Sequence, residues 1–216
     1  MPPPGFCDDF DDLPFEAKWD NAGTVPDVGT GGGGTITPDT VSYRSSPRSA
    51  KMSIPALIAS STNGVAILVT TVPMGLRELD VQADVLIGTE FFPSDEGSVT
   101  VLGLTFVGGA GVSVEVRRDR LGTFLFVDNV RGELLWQPFP VGTWKTLELR
   151  FEFDTSGGPS GQLHTYIDGA ASGTASLPRG FYAADRYPRV VVGALAVGPM
   201  AEFRLNVDNV AVRGTR

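Results

Sequence analysis

Trp144-Lys145-Thr146-Leu147-Glu148-Leu149-Arg150-Phe151-Glu152-Phe153 is the longest run of this chain in which apolar and polar residues alternate. Successive side chains of a β-strand point to opposite faces of its sheet, so a period of two predicts a strand with one buried face. The residues assigned to the buried face are Leu147, Leu149, Phe151 and Phe153. The residues assigned to the opposite face are Trp144, Thr146, Glu148, Arg150 and Glu152.

The rest of the chain repeats this pattern in shorter segments. Leu79, Val81, Ala83 and Val85 alternate with Asp80, Gln82 and Asp84, and turn sequences such as Gly108-Gly109-Ala110-Gly111 separate the segments. About a dozen strand-like segments with turn signals every 8–12 residues are typical of a β-sandwich or barrel. No convincing helix interrupts them, so the sequence predicts an all-β fold with two packed sheets.

The length of 216 residues suits one all-β domain. We therefore expect a disordered N-terminal segment over residues 1–5 and a single β-sandwich domain over residues 6–214. Within the domain, the glycine-rich residues 28–35 predict a flexible loop, because glycine is costly to order.

Charge and composition exclude several classes of function. A net charge of −8 and a pI near 4.6 argue against binding to nucleic acid or to anionic lipid. Cys7 is the only cysteine, so no internal disulfide forms. No apolar run reaches the roughly 20 residues of a membrane span. No signal peptide is visible. An extracellular or cell-surface protein is the expectation, and a cytoplasmic one is the open alternative.

Two regions of the sequence resemble a known family. Gly142-Thr143-Trp144, the following strand and Leu163-His164-Thr165-Tyr166-Ile167-Asp168-Gly169 resemble the hairpin signature of concanavalin A-like lectin/glucanase domains, the laminin-G-like jelly rolls included. The acidic ends, Asp8-Asp9-Phe10-Asp11-Asp12 and Val207-Asp208-Asn209-Val210, resemble those of bacterial members. The resemblance implies a two-sheet antiparallel jelly-roll sandwich, a concave face that often binds glycans, and frequently a bound calcium. Galactose-binding-like jelly rolls are the alternative fold.

The acidic ends also predict a metal site. Calcium takes six to eight oxygen ligands, and carboxylates from the first and last strands would supply them where the termini meet. Asp9, Asp12 and Asp208 are the candidate ligands of a structural calcium. The alternative is that the acidic residues of the N-terminal run are solvated turn residues.

The sequence evidence for catalytic residues is weaker. Glu78-Leu79-Asp80-Val81-Gln82-Ala83 approaches the Glu-x-Asp-x-(x)-Glu strand of retaining glucanases of this fold, but Gln82 or Ala83 replaces the second glutamate. The only histidine, His164, lies in a strand without a Gly-x-Ser-x-Gly motif, which favours an ordinary half-exposed position. The sequence therefore predicts no catalytic residue. It favours a non-enzyme over an enzyme and leaves the question open.

Four aromatic residues are the candidate sugar-binding residues, because pyranose rings stack on aromatic faces. They are Trp136, Phe91, Phe92 and Tyr166. With the resemblance they predict a non-catalytic, lectin-like carbohydrate-binding domain whose partner is a glycan or cell-surface polymer. The alternatives are a structural or adhesive surface module without a small ligand and, less favoured, a polysaccharide-degrading enzyme.

Overall fold

The structure, a computed structural model, describes most of the chain. The described residues are 5–23, 33–57, 63–88, 98–106, 111–119, 122–129, 132–154, 161–177, 181, 187–197 and 199–216. Within them lie fifteen β-strands and one short 3-10 helix, Phe15–Lys18. The predicted all-β fold is confirmed.

The fifteen strands of the described residues are numbered in chain order. They are β1 Gly5–Asp8, β2 Asn21–Gly23, β3 Thr35–Asp39, β4 Ser49–Ile54, β5 Asn63–Thr71, β6 Glu78–Ile87, β7 Ser98–Phe106, β8 Gly111–Asp119, β9 Gly122–Asn129, β10 Gly132–Pro138, β11 Lys145–Glu152, β12 Gln162–Ile167, β13 Ala170–Ser176, β14 Pro188–Val197 and β15 Phe203–Thr215.

The strands form two antiparallel sheets. Sheet A has the order β13-β12-β11-β6-β15-β4-β3, and β1 also pairs with β15. Sheet B has the order β10-β9-β8-β7-β14-β5-β2. Strands that are neighbours in a sheet are often distant in sequence, which is the mark of a jelly-roll sandwich. The predicted two-sheet jelly roll is therefore confirmed.

The core lies between the two sheets and follows the predicted alternation. Leu147, Leu149 and Phe151 of β11 are buried, and Phe151 stacks on Phe153 and Phe181 at centroid distances of 5.9 and 6.4 Å. Burying one such side chain stabilises the fold by about 1.5–3 kcal/mol. The inward face of β11 is thus committed to the core, and its outward face is left for other uses.

The two ends of the chain meet on sheet A. β1 pairs with the second half of β15, with Asp8 opposite Val210. Asp8 is buried and accepts hydrogen bonds from Trp19 Nε1 at 2.7 Å, from the Phe10 backbone N–H at 3.1 Å and from Lys18 Nζ at 3.2 Å. This network fastens the N-terminal segment to the last strand.

Some predictions fall outside the described residues. Residues 1–4 and residues 28–32, the larger part of the glycine-rich loop predicted over residues 28–35, are among these. The division into one domain stays a prediction. In the described part of the chain, no helix has the length and apolar character needed to cross a bilayer.

Candidate active site

Polar side chains cover the outer face of sheet A. The inward residues of β6, such as Leu79 and Val81, are fully buried, so the residues between them point outward. Two rows of outward residues cross the sheet at right angles to the strands. Row one consists of Arg213, Asp80, Arg150, His164 and Thr174, and row two consists of Gln82, Glu148 and Tyr166.

Row one is set by the strand register. Arg213 of β15 lies opposite Asp80 of β6, and Asp80 lies opposite Arg150 of β11. Arg150 lies opposite His164 of β12, which in turn lies opposite Thr174 of β13. Directly opposed side chains on one face have Cβ atoms about 4.5–5.5 Å apart, so neighbours in the row lie within reach of one another and of one ligand.

Arg150 links the two rows. Its Nη2 donates a hydrogen bond of 2.7 Å to Glu148 Oε1, and its guanidinium carbon lies 5.2 Å from the ring centroid of Tyr166. A guanidinium within about 6 Å of an aromatic face is held by a cation–π interaction. The side chain of Arg150 remains 45% exposed. It is therefore oriented by two neighbours while its outer donors stay open to a ligand.

His164 is oriented in a similar way. Its Nδ1 and Thr174 Oγ1 form a hydrogen bond of 3.0 Å, and its Nε2 lies 3.6 Å from Glu152 Oε1. The side chain is 24% exposed. When Nδ1 carries the proton and donates it to Thr174, the lone pair of Nε2 is free to act as a base. The Glu152 carboxylate would then stabilise the imidazolium that forms.

Asp80 is the carboxyl group of row one, and its surroundings perturb its pKa. Burial raises the pKa of its carboxyl group, the Glu148 carboxylate raises it further, and Arg150 and Arg213 lower it. Its Oδ1 is buried without a hydrogen-bond partner in the described structure. Perturbed carboxyl groups of this kind concentrate at functional sites, because a protein optimised for stability alone would remove them.

Replacing Asp80 with asparagine is expected to stabilise the protein at neutral pH. A carboxyl group whose folded pKa is raised contributes stability below its unfolded pKa of about 3.9, and this contribution is lost as pH rises through the folded pKa. Asp80→Asn removes that loss, so Tm should rise at pH 7, and the rise should shrink as the pH approaches 4. Thermal unfolding across this pH range measures the difference. Asp12→Asn, at an exposed carboxylate, is the control. Equal effects of the two variants would contradict the burial argument.

The outer face of sheet B is different in character. Val65, Ile67 and Val69 of β5 form a second buried cluster, against which Val191 and Leu195 of β14 pack. Aliphatic side chains provide no acid, base or charge. The part of this face formed by β5 and β14 is therefore apolar, and on β8 the outward Glu115 is already paired with Arg117 at 2.9 Å. Rows one and two of sheet A bring cations, carboxylates, a histidine and a tyrosine together, and we assign the candidate active site to them.

In the described residues, the four predicted sugar-binding aromatic residues do not form one cluster. Tyr166 lies in row two of sheet A, beside Arg150. Trp136 belongs to β10 of sheet B, where its backbone pairs with Phe126, and its side chain is outside the description. Phe91 and Phe92 lie outside the described residues. Of the four predictions, Tyr166 is thus the one that the described structure connects to the candidate site.

The three predicted calcium ligands are already bonded within the protein. Asp208 is fully buried, and its two oxygens accept four hydrogen bonds, from Arg44 N, Ser45 N, Ser45 Oγ and Asn209 N. A carboxylate has about four lone-pair sites, so none is left for a cation. Burial raises the pKa of Asp208, and these hydrogen bonds oppose the rise.

The two remaining carboxylates, Asp9 and Asp12, lie 4.0 and 3.3 Å from Lys18 Nζ. In the part of the chain that the structure describes, no group of three or more His, Cys, Asp or Glu side chains is arranged to hold a metal. The donor set does not fit a calcium ion held by Asp9, Asp12 and Asp208. Calcium at these residues stays a prediction, and no chemistry is derived from it.

Comparison with known proteins identifies the fold. No protein-family model and no curated protein matches the sequence. Among solved structures, the chain is similar to alginate lyase Aly36B, with a TM-score of 0.66 and 12% identity over 99% of this chain and 98% of that chain. One variant of that enzyme was solved in complex with alginate tetrasaccharide.

Two further structures show the same likeness. The endo-β-1,4-glucuronan lyase of the fungus Trichoderma reesei gives a TM-score of 0.61 and 14% identity over 92% of this chain and 91% of that chain. The cellulose-induced protein Cip1 gives 0.65 and 16% over 98% of both chains. At these identities the likeness establishes the fold and no more.

The comparisons nevertheless contradict one prediction. The sequence predicts a non-catalytic, lectin-like carbohydrate-binding domain, whereas the similar structures are mostly named as enzymes that cleave polysaccharides. The motif Glu78–Ala83, which lacks the second glutamate of glucanases, lies within one strand. Rows one and two assemble their groups across several strands, where a single-strand pattern does not detect them. The prediction of a non-catalytic domain is therefore wrong, and its less favoured alternative, a polysaccharide-degrading enzyme, is the better supported one.

Proposed function

We propose that this protein degrades a polysaccharide, and that it cleaves a 1,4-linked uronate polymer by β-elimination on rows one and two. The observation that carries the proposal is the arrangement of Arg150, His164 and Tyr166. These three side chains occupy neighbouring register positions on one outer face. They supply a fixed cation, a base and a proton donor within reach of one sugar unit.

The chemistry of the reaction defines what the site must do. In a uronate residue, the hydrogen on C5 is weakly acidic because it is adjacent to the carboxyl group. A base removes this proton, a C4–C5 double bond forms, and the C4–O bond of the glycosidic linkage breaks. The leaving oxygen takes a proton. Negative charge accumulates on the carboxyl group before the bond breaks, so a cation at that group lowers the barrier.

Arg150 suits the role of carboxylate-binding cation. A guanidinium is planar and binds a carboxylate through two parallel hydrogen bonds, which fixes the orientation of the sugar. The contacts with Glu148 and Tyr166 hold Arg150 in place before the substrate arrives. Gln82 lies opposite Glu148 in row two and would add an uncharged hydrogen-bond donor.

His164 and Tyr166 suit the two proton transfers. Nε2 of His164 would remove the C5 proton, with the imidazolium stabilised by Glu152 and oriented by Thr174. The phenol of Tyr166 would donate its proton to the leaving oxygen. The two residues are two positions apart on β12 and therefore project from the same face. The proton removed and the proton donated balance over the reaction.

The solved structures that share this fold support the proposal. Enzymes named alginate lyase and glucuronan lyase share the jelly roll over almost the whole chain. We include in the proposal that the chain is a concanavalin A-like jelly roll, which the resemblance of its hairpin signature supports. A uronate polymer is too large to enter a cell, so the proposed substrate goes with a secreted or cell-surface location.

Turnover of defined polymers tests the proposal. Purified protein is incubated with alginate and with polyglucuronate, and the ultraviolet absorbance of the new C4–C5 double bond is followed. We expect absorbance to rise with wild-type protein and with the control variant Arg204→Gln, which removes an arginine of β15 that pairs with Glu202 at 2.7 Å. Arg150→Gln should raise KM at least about tenfold.

Two results would contradict elimination. New reducing ends without ultraviolet absorbance would indicate hydrolysis, for which Asp80 and Glu148 are the carboxyl groups at hand. Absence of any product from alginate and from polyglucuronate would contradict the proposed cleavage of a uronate polymer.

A further inference from the structure

A cavity of about 340 Å³ opens at the β15 end of row one. It lies over β15, between β1 and β6. The side chains at its wall include Cys7 of β1, Gln82 of β6 and Arg213 of β15, with Asp9 and Lys18 at the N-terminal side. A volume of this size is within the range of ligand pockets and holds a sugar unit. Because Gln82 and Arg213 are shared with the rows, the cavity continues the candidate active site.

We infer that this cavity is a second carboxylate-binding subsite, in which Arg213 binds a uronate unit two positions along the polymer from the unit bound by Arg150. The inference rests on the proposed function for its substrate class. It adds a specificity-determining residue, a direction for the polymer along row one, and a minimum substrate length.

Of the two cations at the cavity wall, Arg213 is the one available to bind an anionic ligand. Within the described residues Arg213 forms no ion pair and no side-chain hydrogen bond, although its charge acts on Asp80. Lys18 is held differently, by Asp8 at 3.2 Å, Asp12 at 3.3 Å and Asp9 at 4.0 Å. The lysine compensates the acidic side of the cavity. Arg213 therefore presents its guanidinium donors to whatever enters.

The spacing of the strands sets the spacing of the two arginines. Arg213 lies on β15 and Arg150 on β11, with β6 between them, and the three strands are in register along row one. Neighbouring strands lie about 4.8 Å apart, so the two backbones are separated by about 10 Å. One pyranose unit extends a 1,4-linked chain by about one strand spacing. The arginines therefore match units n and n+2.

Asp80 explains why alternate units are recognised. It lies between the two arginines in row one, where a carboxylate facing the sheet would meet its negative charge. In a 1,4-linked polymer that forms a two-fold ribbon, successive carboxylates point to opposite sides. The middle unit then turns its carboxylate to solvent, away from Asp80. The order Arg213, Asp80, Arg150 thus favours a ribbon-like polyuronate over a polymer with all its charges on one side.

The arrangement has a consequence for substrate length. Three consecutive units are needed to reach from Arg213 to Arg150. The proposed base and acid, His164 and Tyr166, lie on β12, on the side of Arg150 away from Arg213, so the bond that is cleaved lies on that side and the unit beyond it is a fourth. A trisaccharide cannot fill all these positions, whereas a hexasaccharide can. Oligomers of 1,4-linked mannuronate are suitable probes because they form a two-fold ribbon.

Kinetics with these two oligomers provide the first test. We expect wild-type protein to show a kcat/KM for the hexasaccharide that exceeds the value for the trisaccharide, and we expect Arg213→Gln to reduce this ratio about tenfold. Arg204→Gln, on the same strand and the same sheet, should leave the ratio unchanged. A ratio that Arg213→Gln does not alter, in an active enzyme that folds normally by thermal unfolding, would overturn the subsite.

Cys7 provides a second test that does not need turnover. It is the only cysteine of the sequence, it is exposed, and it lines the cavity, so a thiol reagent reports occupancy. The labelling rate is measured in His164→Gln, which keeps the oligomers intact. Hexamannuronate should slow labelling more than trimannuronate, and adding Arg213→Gln should abolish the protection.

The outcomes separate the two proposals. Protection that depends on Arg213, without turnover of any polymer, would support the subsite and contradict the lyase. Turnover without protection of Cys7 would support the lyase and overturn the subsite. Absence of both would contradict the two proposals together.

Discussion

Replacing His164 with glutamine is expected to lower kcat on a uronate polymer by about 100- to 10,000-fold, the range that a positioned general base contributes. Glutamine keeps a hydrogen-bonding side chain of similar length on β12 but removes the base that takes the C5 proton. The measurement is the rate of ultraviolet absorbance increase at saturating substrate. Because the side chain lies on the sheet surface and is 24% exposed, the free energy of unfolding should change by less than about 0.5 kcal/mol.

Two further variants distinguish catalysis from positioning. Tyr166→Phe retains the ring under Arg150 and removes the phenol proton, so kcat should fall while KM stays near the wild-type value. Thr174→Val removes the hydrogen bond that orients the imidazole, and we expect a smaller loss of kcat. If His164→Gln retains most of the wild-type rate, His164 is not the base, and the roles assigned to rows one and two are wrong.

The sequence predicted the faces of single strands well, and the reason is local. The alternation in β11 depends on neighbouring residues alone, and the structure buries Leu147, Leu149 and Phe151 as predicted while leaving Glu148 and Arg150 outside. The meeting of the first and last strands was also expected from their acidic residues, and β1 does pair with β15.

The candidate site could not be predicted in the same way, because it depends on which strands become neighbours. Asp80 and Arg150 are far apart in sequence and meet since β6 lies beside β11 in sheet A. Many small packing terms across the sandwich determine that order, and the alternation of one strand does not reveal it. His164 illustrates the effect. Its partly exposed strand position was predicted, but the neighbours that give it a chemical role, Arg150 and Thr174, come from two other strands.

The predicted metal site depends on contacts that the sequence alone does not show, because the residues near a carboxylate decide which partner it binds. Asp9, Asp12 and Asp208 were grouped because carboxylates near both ends suggested a cation. In the structure a cation is present in the form of Lys18, which contacts Asp9 and Asp12, and Asp208 is satisfied by neutral N–H and O–H donors. Sequence does not show which of these partners a carboxylate finds.

Asp208→Ala is expected to destabilise the protein by about 3 kcal/mol or more, with or without calcium. The substitution empties the fully buried position of Asp208 in the middle of β15 and leaves four part-buried donors, of Arg44, Ser45 and Asn209, without their acceptor. An unsatisfied buried group costs about 1–3 kcal/mol, and four part-buried ones together reach the expected loss. For a chain of this length, Tm should fall by roughly 6–12 °C. Urea unfolding of wild-type and variant protein, in chelator and in calcium, measures the effect. Asp12→Ala, at an exposed ion pair with Lys18, is the matched control and should change stability by less than about 1 kcal/mol.

A different pattern would support the predicted calcium site instead. Chelator would then lower the stability of the wild type, and Asp208→Ala would remove that response. Calcium binding adds about 2.7 kcal/mol at a hundredfold excess over Kd, so the two patterns are readily distinguished.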